Sequence, residues 1–327
     1  MSKQTEQGHP FRALVVIPGT VNYFYNQSGR RIGEALQALG GDVDVCTLAD
    51  CTDRDYEWCI FSNVTEVLFA AGETEGAQRI AALARRSRHS ASCAIDCVRT
   101  VWYENIWKQC RRCGIEYILD LGLCDQGAYL AADQRDNYRF VFSGLTPSEK
   151  ALLGDLPHRD TARAFPWAFV GHMTPYRVAL VDHLVQSVDA GGFVYLPLPA
   201  AYTEKGSPHL NQEKFEMVLS RTRYQIWCSH HRHFYMEPER FRMSLLSGSV
   251  PIKILDSCAN VPPRACFKYL MMEAAEVGQR LRSGDFQRVR ERFWCDWRRA
   301  PLLSTELGRV LGLAASPCAE LALQRAA

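Results

Sequence analysis

A chain of 327 residues is long for one compact domain and fits two domains of about 150 residues each. Its 47% hydrophobic and 23% charged residues are typical of folded globular proteins and exclude wholesale disorder. The 38 basic and 36 acidic side chains give a net charge of +2, which removes the electrostatic argument for a nucleic-acid partner or a membrane-surface protein.

The first half of the sequence alternates strand and helix patterns. The β-branched apolar run from Ala13 to Ile17 predicts a strand buried on both faces. Apolar residues at helical spacing follow it, namely Ile32, Ala35, Leu36 and Leu39. Further strands are predicted over 43–48, 57–62, 92–98, 116–121 and 139–142, with helices near 75–87 and 102–112. This alternation predicts a doubly wound α/β lobe.

A polar, turn-forming stretch between Leu152 and Phe165 interrupts the pattern. We place a domain boundary there, with an N-terminal domain over 1–163 and a C-terminal domain over 164–327. The second half repeats the scheme, with strands predicted over 167–170, 193–196, 224–228 and 250–254 and an arginine-rich helical tail after Phe267. The predicted fold is therefore two Rossmann-like, doubly wound α/β lobes that face a central cleft.

Cellular location and cysteine chemistry follow from what the sequence lacks. No apolar run is long enough to cross a membrane, and the first ten residues have no apolar core of a signal peptide. We expect a cytoplasmic protein without stable membrane insertion. Thirteen cysteines, an odd number, favour reduced thiols over a disulfide framework. The oligomeric state stays open.

The sharpest local pattern runs from Glu237 to Ile252. Pro238 is placed to begin a helix, Gly248 to end it, and a buried strand follows directly. Arg240, the small residues at 247–248 and the strand at 250–252 resemble the donor-site helix of two-lobed glycosyltransferases of the GT-B type.

The resemblance extends beyond this helix. Residues 169–177, with Gly171 and Arg177, resemble the first strand and glycine loop of that family's C-terminal lobe. Residues 211–229 are similar in spacing to the spore-maturation-like group, glycosyl transferases group 1. The likeness covers much of the second lobe, and the first lobe only in general architecture.

The resemblance implies a nucleotide-sugar donor in the second lobe, an unidentified acceptor in the first, no obligatory metal and no other cofactor. A leaving nucleoside diphosphate develops negative charge, which a metal-free site must meet with cations and helix N-terminal amides. Arg177 and Arg240 are the candidate phosphate ligands, although either could be a surface residue. The candidate donor-site residues are Gly171, His172, Arg177, Cys228, His230, Glu239, Arg240, Ser247, Gly248 and Ser249.

One position departs from the family pattern. The family commonly has a glutamate three residues after the arginine to hold the donor ribose, and here that position is Met243. Glu239 or Glu237 could replace it, or both could be ordinary acids at a helix N-terminus. A second hypothesis is therefore a non-catalytic nucleotide or nucleotide-sugar binding protein with a degenerate donor site.

An inverting transferase needs a base from the first lobe. Asp96, at the end of a predicted buried strand, is the first candidate, with Asp120 and Asp125 as rivals. A strand-end aspartate can equally brace a loop or cap a helix, and a retaining enzyme would need no such base.

The loop after the first strand is predicted to form the acceptor wall, unless its aromatic residues only pack. Its candidate residues are Asn22, Tyr23, Tyr25 and Asn26. The pairs Cys93–Cys97 and Cys110–Cys113 have spacing seen in zinc ribbons, but their strand and helix context argues against that, and we predict no metal site.

Overall fold

The computed structural model describes residues 11–20, 23–154, 163–188, 191–198, 210–229, 233–255 and 265–313. In these residues the chain forms two parallel β-sheets, each covered by helices. The two-lobed α/β prediction is therefore confirmed.

The first sheet has six parallel strands in the order β2-β1-β3-β4-β5-β6. Its strands are β1 (Arg12–Ile17), β2 (Asp42–Thr47), β3 (Trp58–Phe61), β4 (His89–Ala94), β5 (Tyr117–Gly122) and β6 (Tyr138–Phe142). The helices between and after them are α1 (Tyr23–Ala38), α2 (Val64–Ala71), α3 (Glu73–Arg86), α4 (Val101–Cys113), α5 (Ala132–Arg135) and α6 (Pro147–Leu153). β1 and β3 are apolar runs buried along all or nearly all of their length, as the β-branched sequence of β1 predicts.

The second sheet has five parallel strands in the order β11-β10-β9-β7-β8. Its strands are β7 (Phe165–Val170), β8 (Gly192–Tyr195), β9 (Thr222–Trp227), β10 (Val250–Ile254) and β11 (Met271–Met272). The remaining helices are α7 (Pro175–Ser187), α8 (Gln212–Ser220), α9 (Pro238–Leu246), α10 (Ala274–Arg282), α11 (Phe286–Arg299) and α12 (Leu303–Leu311).

The last helix, α12, packs on the first sheet although it follows the second sheet in sequence. Leu303 and Leu307 are fully buried there, in one apolar cluster with Val15 of β1 and Leu36 of α1. The sequence assigned this segment to the second domain. The proposed boundary near residue 163 stays a prediction.

Strand order locates the edge of each sheet at which ligands bind in α/β folds. In the first sheet β1 lies between β2 and β3, and in the second sheet β7 lies between β8 and β9. Connections leave these neighbouring strands in opposite directions, which opens a crevice at their carboxyl ends. The crevices lie after Ile17 and Phe61 in the first lobe and after Val170 and Trp227 in the second.

A buried cluster of four charged side chains joins the lobes. Arg31 of α1 donates to Glu149 of α6 (2.9 Å) and to Glu239 of α9 (3.1 Å). Arg242 of α9 donates to the same Glu149 oxygen at 2.8 Å and also to Glu239. Each of the four side chains is at most 10% exposed. We call Arg31, Glu149, Glu239 and Arg242 the inter-lobe charge cluster.

The charges in this cluster balance, since two guanidinium groups face two carboxylates. Burial alone would raise the pKa of Glu149, but the charges of Arg31 and Arg242 hold it below its ordinary value. Removing one member would leave an uncompensated buried charge, which costs more than the intact pair contributes.

Arg31→Met is expected to lower the free energy of unfolding by about 3–5 kcal/mol, because it leaves Glu149 and Glu239 buried with one guanidinium between them. Urea denaturation measures the change. The matched control is Arg12→Met, which removes an exposed pair with Asp42 (3.6 Å, 61% and 57% exposed) and is expected to change stability by no more than about 0.5 kcal/mol. Equal effects of the two substitutions would contradict the role given to the cluster.

Candidate functional site

A cavity of about 370 Å³ lies between the lobes, at the carboxyl ends of both sheets. Its first-lobe wall comes from the start of α1, from α2, from the loop after β4 and from the start of α4. Its second-lobe wall comes from the loops after β7 and β8, from α8 and from the start of α9. The predicted cleft is thus present, where parallel sheets place their ligands.

The loop after β7 and a buried arginine form the second-lobe crevice. Gly171 and His172 line the cavity, whereas Arg177 lies behind them and is 1% exposed. Arg177 Nη1 donates to the His172 carbonyl (3.2 Å) and Nη2 donates to the Cys228 carbonyl (2.9 Å). Arg177 therefore ties together the loops that follow β7 and β9.

Glycine is required above this arginine. A Cβ atom at Gly171 would lie 2.8 Å from Arg177 Nη1, so any side chain there would displace the guanidinium. Burial lowers the pKa of Arg177, and the nearby charge of Arg240 lowers it further. Two cations therefore lie close together at this crevice.

Helix α9 points its N-terminus at the cavity. Pro238 occupies the first turn, where a missing N–H group costs nothing, and Glu237, Glu239 and Arg240 line the cavity beside it. Arg240 donates to Glu237 and, at 3.0 Å, to the carbonyl of Val170 at the end of β7. Its guanidinium also lies over the Trp227 ring, 5.7 Å from the centroid.

The first-lobe wall is acidic. Asp96 lies two residues beyond β4, because the strand ends at Ala94 and not at residue 98 as predicted. Burial raises the pKa of Asp96 to about 7, and the charges of Glu237 and Glu66 add to the effect. Burial also raises the pKa of Glu66. Burial and the two neighbouring carboxylates thus oppose the ionisation of Asp96.

The rival bases lie away from the cavity lining. Asp120 is fully buried on β5 and accepts a hydrogen bond from Tyr138 at 2.7 Å. Tyr138 also contacts Asp125, at 2.9 Å. Burial raises the pKa of Asp120 to about 7, but among the first-lobe aspartates considered only Asp96 lines the cavity.

The predicted acceptor loop reaches the cavity in part. Tyr23 and Tyr25, in the first turn of α1, line it. Asn26 instead fixes the loop, accepting from the Gly19 N–H at 2.9 Å and donating to the Thr20 carbonyl at 2.6 Å. Asn22 lies outside the described residues.

Three predicted donor residues lie at the wrong end of α9. Ser247, Gly248 and Ser249 follow the helix and precede β10, so they lie at the amino-terminal edge of the parallel sheet, opposite the cavity. Ser247 accepts there from Arg163 at 3.1 Å. Assigning them to the donor site was wrong, because a helix that enters a parallel strand begins at the ligand edge and ends at the far edge.

Other donor-site predictions have different outcomes. Cys228 is 1% exposed. At the crevice it contributes its backbone carbonyl, which accepts a hydrogen bond from Arg177. Both carboxylate oxygens of Glu239 are engaged by Arg31 and Arg242, which makes Glu239 an inter-lobe contact at the cavity edge. His230 lies outside the described residues.

Met243 is part of an apolar cluster and does not face the cavity. It is 2% exposed and packs with Phe215 and Leu219 of α8, against Tyr23 and Phe24 of the first lobe. The position where the family pattern has a glutamate is therefore used for packing.

Several cavity residues were not predicted from the sequence, among them Glu66, Trp102 and Tyr235. Glu66 lies on α2, whose N-cap Asn63 accepts from the amides of Thr65 and Glu66 and is a recognisable start signal. Trp102, 47% exposed, follows the N-cap of α4. Tyr235 of the second lobe donates to the Ile95 carbonyl beside Asp96, a contact between distant segments that no local pattern marks.

The described residues contain neither a candidate metal site nor a candidate membrane span. Among them, no group of three or more His, Cys, Asp or Glu side chains is arranged to hold a metal ion. Cys93, Cys97, Cys110 and Cys113 are buried thiols. In the same part of the chain, no helix is both long enough and apolar enough to span a bilayer.

Known proteins were compared with this chain by sequence and by structure. No family model and no curated protein sequence matches it. Solved structures do match, among them an α-glucosyltransferase in complex with UDP-glucose and DNA containing an abasic site, at 9% identity and a TM-score of 0.52. The match covers 97% of this chain and 100% of that one.

A second similar structure is a glycosyltransferase from Rickettsia africae, at 10% identity and a TM-score of 0.50, covering 93% of this chain and 97% of that one. Together these matches show that the chain has the two-lobed fold found in glycosyltransferases, as the GT-B resemblance predicts. Since the first of them holds DNA, the comparison gives no support to excluding a nucleic-acid partner, and that exclusion stays a prediction.

Asp96→Asn is expected to raise the melting temperature at pH 8 by about 2–4 °C, the shift that about 1 kcal/mol produces in domains of this size. The folded chain holds the Asp96 proton up to a pKa of about 7, whereas an unfolded aspartate releases it near 3.8. The ionisation of Asp96 therefore lowers the free energy of unfolding very little near pH 4. This loss of stability grows as the pH rises and is complete above pH 7.

Thermal denaturation at pH 4, 6 and 8 measures this difference. Asp133→Asn is the matched control, because it makes the same chemical change at an exposed residue that does not line the cavity. A stability gain for Asp96→Asn that is the same at pH 4 and pH 8 would be inconsistent with a raised pKa.

Proposed function

We propose that this protein is a glycosyltransferase that moves a hexosyl group from a nucleoside-diphosphate sugar, held by the second lobe, to an acceptor held by the first. The observation that carries the proposal is the environment of Arg177. This guanidinium is buried, its hydrogen-bond partners in the described residues are neutral carbonyls, and its Nε atom has no partner.

A buried guanidinium that donates only to neutral carbonyls is costly to keep charged, and the nearby carboxylate of Glu237, which raises the pKa of Arg177, is itself paired with Arg240. A bound anion would supply further negative charge. Arg177 lies directly beneath Gly171, at the crevice between β7 and β9. A phosphate bound beside Gly171 would provide the counter-charge, and the absence of a side chain on Gly171 is what lets the guanidinium reach this position.

Arg240 and the first turn of α9 complete the phosphate site. Arg240 lies beside the Val170 carbonyl, next to Gly171, and its charge is close enough to lower the pKa of Arg177. The N-terminus of α9 adds the positive end of a helix dipole. We assign these groups to stabilising the leaving diphosphate without a divalent cation.

Asp96 is assigned as the general base. Its pKa of about 7 makes it substantially ionised at neutral pH and still basic enough to take a proton from an acceptor hydroxyl. Tyr23, Tyr25 and Trp102 provide aromatic surface on the same side of the cavity, and His172 faces it from the donor side. This arrangement suits an inverting reaction.

A second candidate function is nucleotide-sugar binding without turnover. This function is favoured by the two residues considered for holding a donor ribose. Met243 is packed in an apolar cluster, and Glu239 is paired with two arginines. Neither supplies a carboxylate for two ribose hydroxyls, so a transferase would need another group, such as Glu237, for that contact.

Arg240→Ala is expected to weaken the binding of UDP or GDP by about 1.5–3 kcal/mol, roughly 10- to 150-fold in Kd, because it removes a charge-assisted hydrogen bond to phosphate. Isothermal titration calorimetry measures the change, and Arg177→Ala should act in the same direction. The control is Arg288→Ala, an arginine 82% exposed on α11. Unchanged Kd values for both folded cavity variants would remove the diphosphate site.

Asp96→Asn is expected to lower kcat by 10²- to 10⁴-fold while leaving donor affinity unchanged, because a general base acts on the acceptor and not on the diphosphate. UDP-glucose is the first donor to use, with sugars, peptides, natural products and DNA as acceptors, since a similar structure holds UDP-glucose and DNA. Asp133→Asn again serves as control.

The two functions separate in the same assay. Donor binding by the wild type with neither hydrolysis nor transfer to any acceptor would favour the binding protein. Turnover that survives Asp96→Asn unchanged would keep the transferase and remove Asp96 as its base.

A further inference from the structure

Two thiols lie in contact at the edge of the first sheet, away from the cavity. Cys46 is the second-last residue of β2, and Cys51 follows the 3-10 turn over Leu48–Asp50. Their sulfur atoms are 3.7 Å apart, and Cys51 Sγ is also 3.3 Å from the Thr47 carbonyl. Both residues are partly exposed.

The surroundings favour reactivity at Cys46. The hydrogen bond from Cys51 lowers the pKa of Cys46, against the opposing effects of burial and of the carboxylates Asp44 and Asp50. The thiolate is the nucleophilic form of cysteine, and partial exposure lets a small oxidant reach it. Arg79 faces Cys51 from α3 and donates to the Leu48 carbonyl of the same turn at 2.6 Å.

Most other described thiols lack these features. Cys59, Cys93, Cys97, Cys110, Cys113 and Cys228 are buried. Burial raises the pKa of Cys59 to about 12 and that of Cys97 to about 11, which keeps both as thiols. Cys295 is exposed and makes a useful comparison.

We propose that Cys46 and Cys51 are a redox-active dithiol, which hydrogen peroxide converts into a reversible intrachain disulfide. The site is separate from the proposed transfer chemistry and does not depend on it. It requires only that the two sulfur atoms move from 3.7 Å to the bonded distance of about 2.0 Å.

The fold permits this movement. Among the described residues, β2 is an edge strand paired with β1 alone, and its residues from Val43 onward are partly exposed. Thr47 lies between the two cysteines in sequence and packs against Gly19. A Cβ atom on Gly19 would lie 2.8 Å from Thr47 Cγ2. The disulfide would therefore form behind the loop that leads to Tyr23 and Tyr25.

The chemistry balances in two steps. The Cys46 thiolate attacks one peroxide oxygen, so that an S–O bond forms, the O–O bond breaks, sulfur loses two electrons and hydroxide leaves to take up a proton as water. The Cys51 sulfur then attacks the resulting sulfenic acid, forming the S–S bond and breaking the S–O bond. The released hydroxide takes the Cys51 proton and leaves as a second water.

Peptide mass mapping tests the proposal on the full-length protein. Trypsin releases residues 32–54, which contain Cys46 and Cys51 and no other cysteine. After peroxide treatment and alkylation, this peptide is expected to be lighter than the free dithiol peptide by two hydrogen atoms and to carry no alkyl group. Dithiothreitol should restore the doubly alkylated form.

Variants identify the order of events. Cys51→Ser should stop disulfide formation and leave a Cys46 sulfenic acid that dimedone labels, whereas Cys46→Ser should give neither product. Cys295→Ser is the control and should behave as the wild type. The proposal is overturned if both thiols of 32–54 remain alkylated while Cys295 is oxidised, or if Cys46 joins a different cysteine.

Discussion

The relative position of the two lobes depends on the inter-lobe charge cluster. Arg31 and Glu149 come from the first half of the chain, Glu239 and Arg242 from α9, and all four are buried with balanced charge. Because each guanidinium contacts both carboxylates, no pair can separate without leaving a charge in a low-dielectric environment. The same helices carry the cavity walls: α1 supplies Tyr23 and Tyr25, and α9 supplies Arg240. The cluster therefore links the lobe contact to the helices that line the cavity.

The cavity that results is electrostatically divided. Arg177 and Arg240 lie at the second-lobe crevice, while Glu66 and Asp96 lie on the first-lobe wall. The proposed group transfer, which would release an anion on one side and a proton on the other, matches this division, since the cations would stabilise the leaving group and a carboxylate would take the proton. Glu237 stands between the two sides, paired with Arg240 and close enough to Asp96 to raise its pKa. Ionisation of Asp96 is thus coupled to the groups assigned to the donor.

Local sequence patterns predicted β1 to β10 in their order of appearance and to within about four residues, and for β1 and β3 the reason is that an apolar run has few alternatives to a buried parallel strand. They also predicted α9 and its first turn. They missed β11, which lies in the tail that was predicted to be helical. They did not predict the partner of Glu239, since Arg31 lies 208 residues away and charge pairing across lobes leaves no periodic signal. The error at Ser247, Gly248 and Ser249 is of another kind. The direction of a helix between parallel strands was available from the sequence and would have placed these residues at the far edge of the sheet.

Met243 shows how packing can account for a departure from a family motif. Arg242 belongs to the inter-lobe charge cluster. Its neighbour Met243 packs between α8 and the aromatic pair Tyr23 and Phe24 of the opposite lobe. A carboxylate at this position would be buried among apolar side chains and would carry the cost of an unpaired charge. The apolar contact and the charge cluster therefore stabilise the same lobe arrangement from adjacent positions of one helix. Under the proposed function, a donor ribose would be recognised from the cavity side of α9, where Glu237 lies.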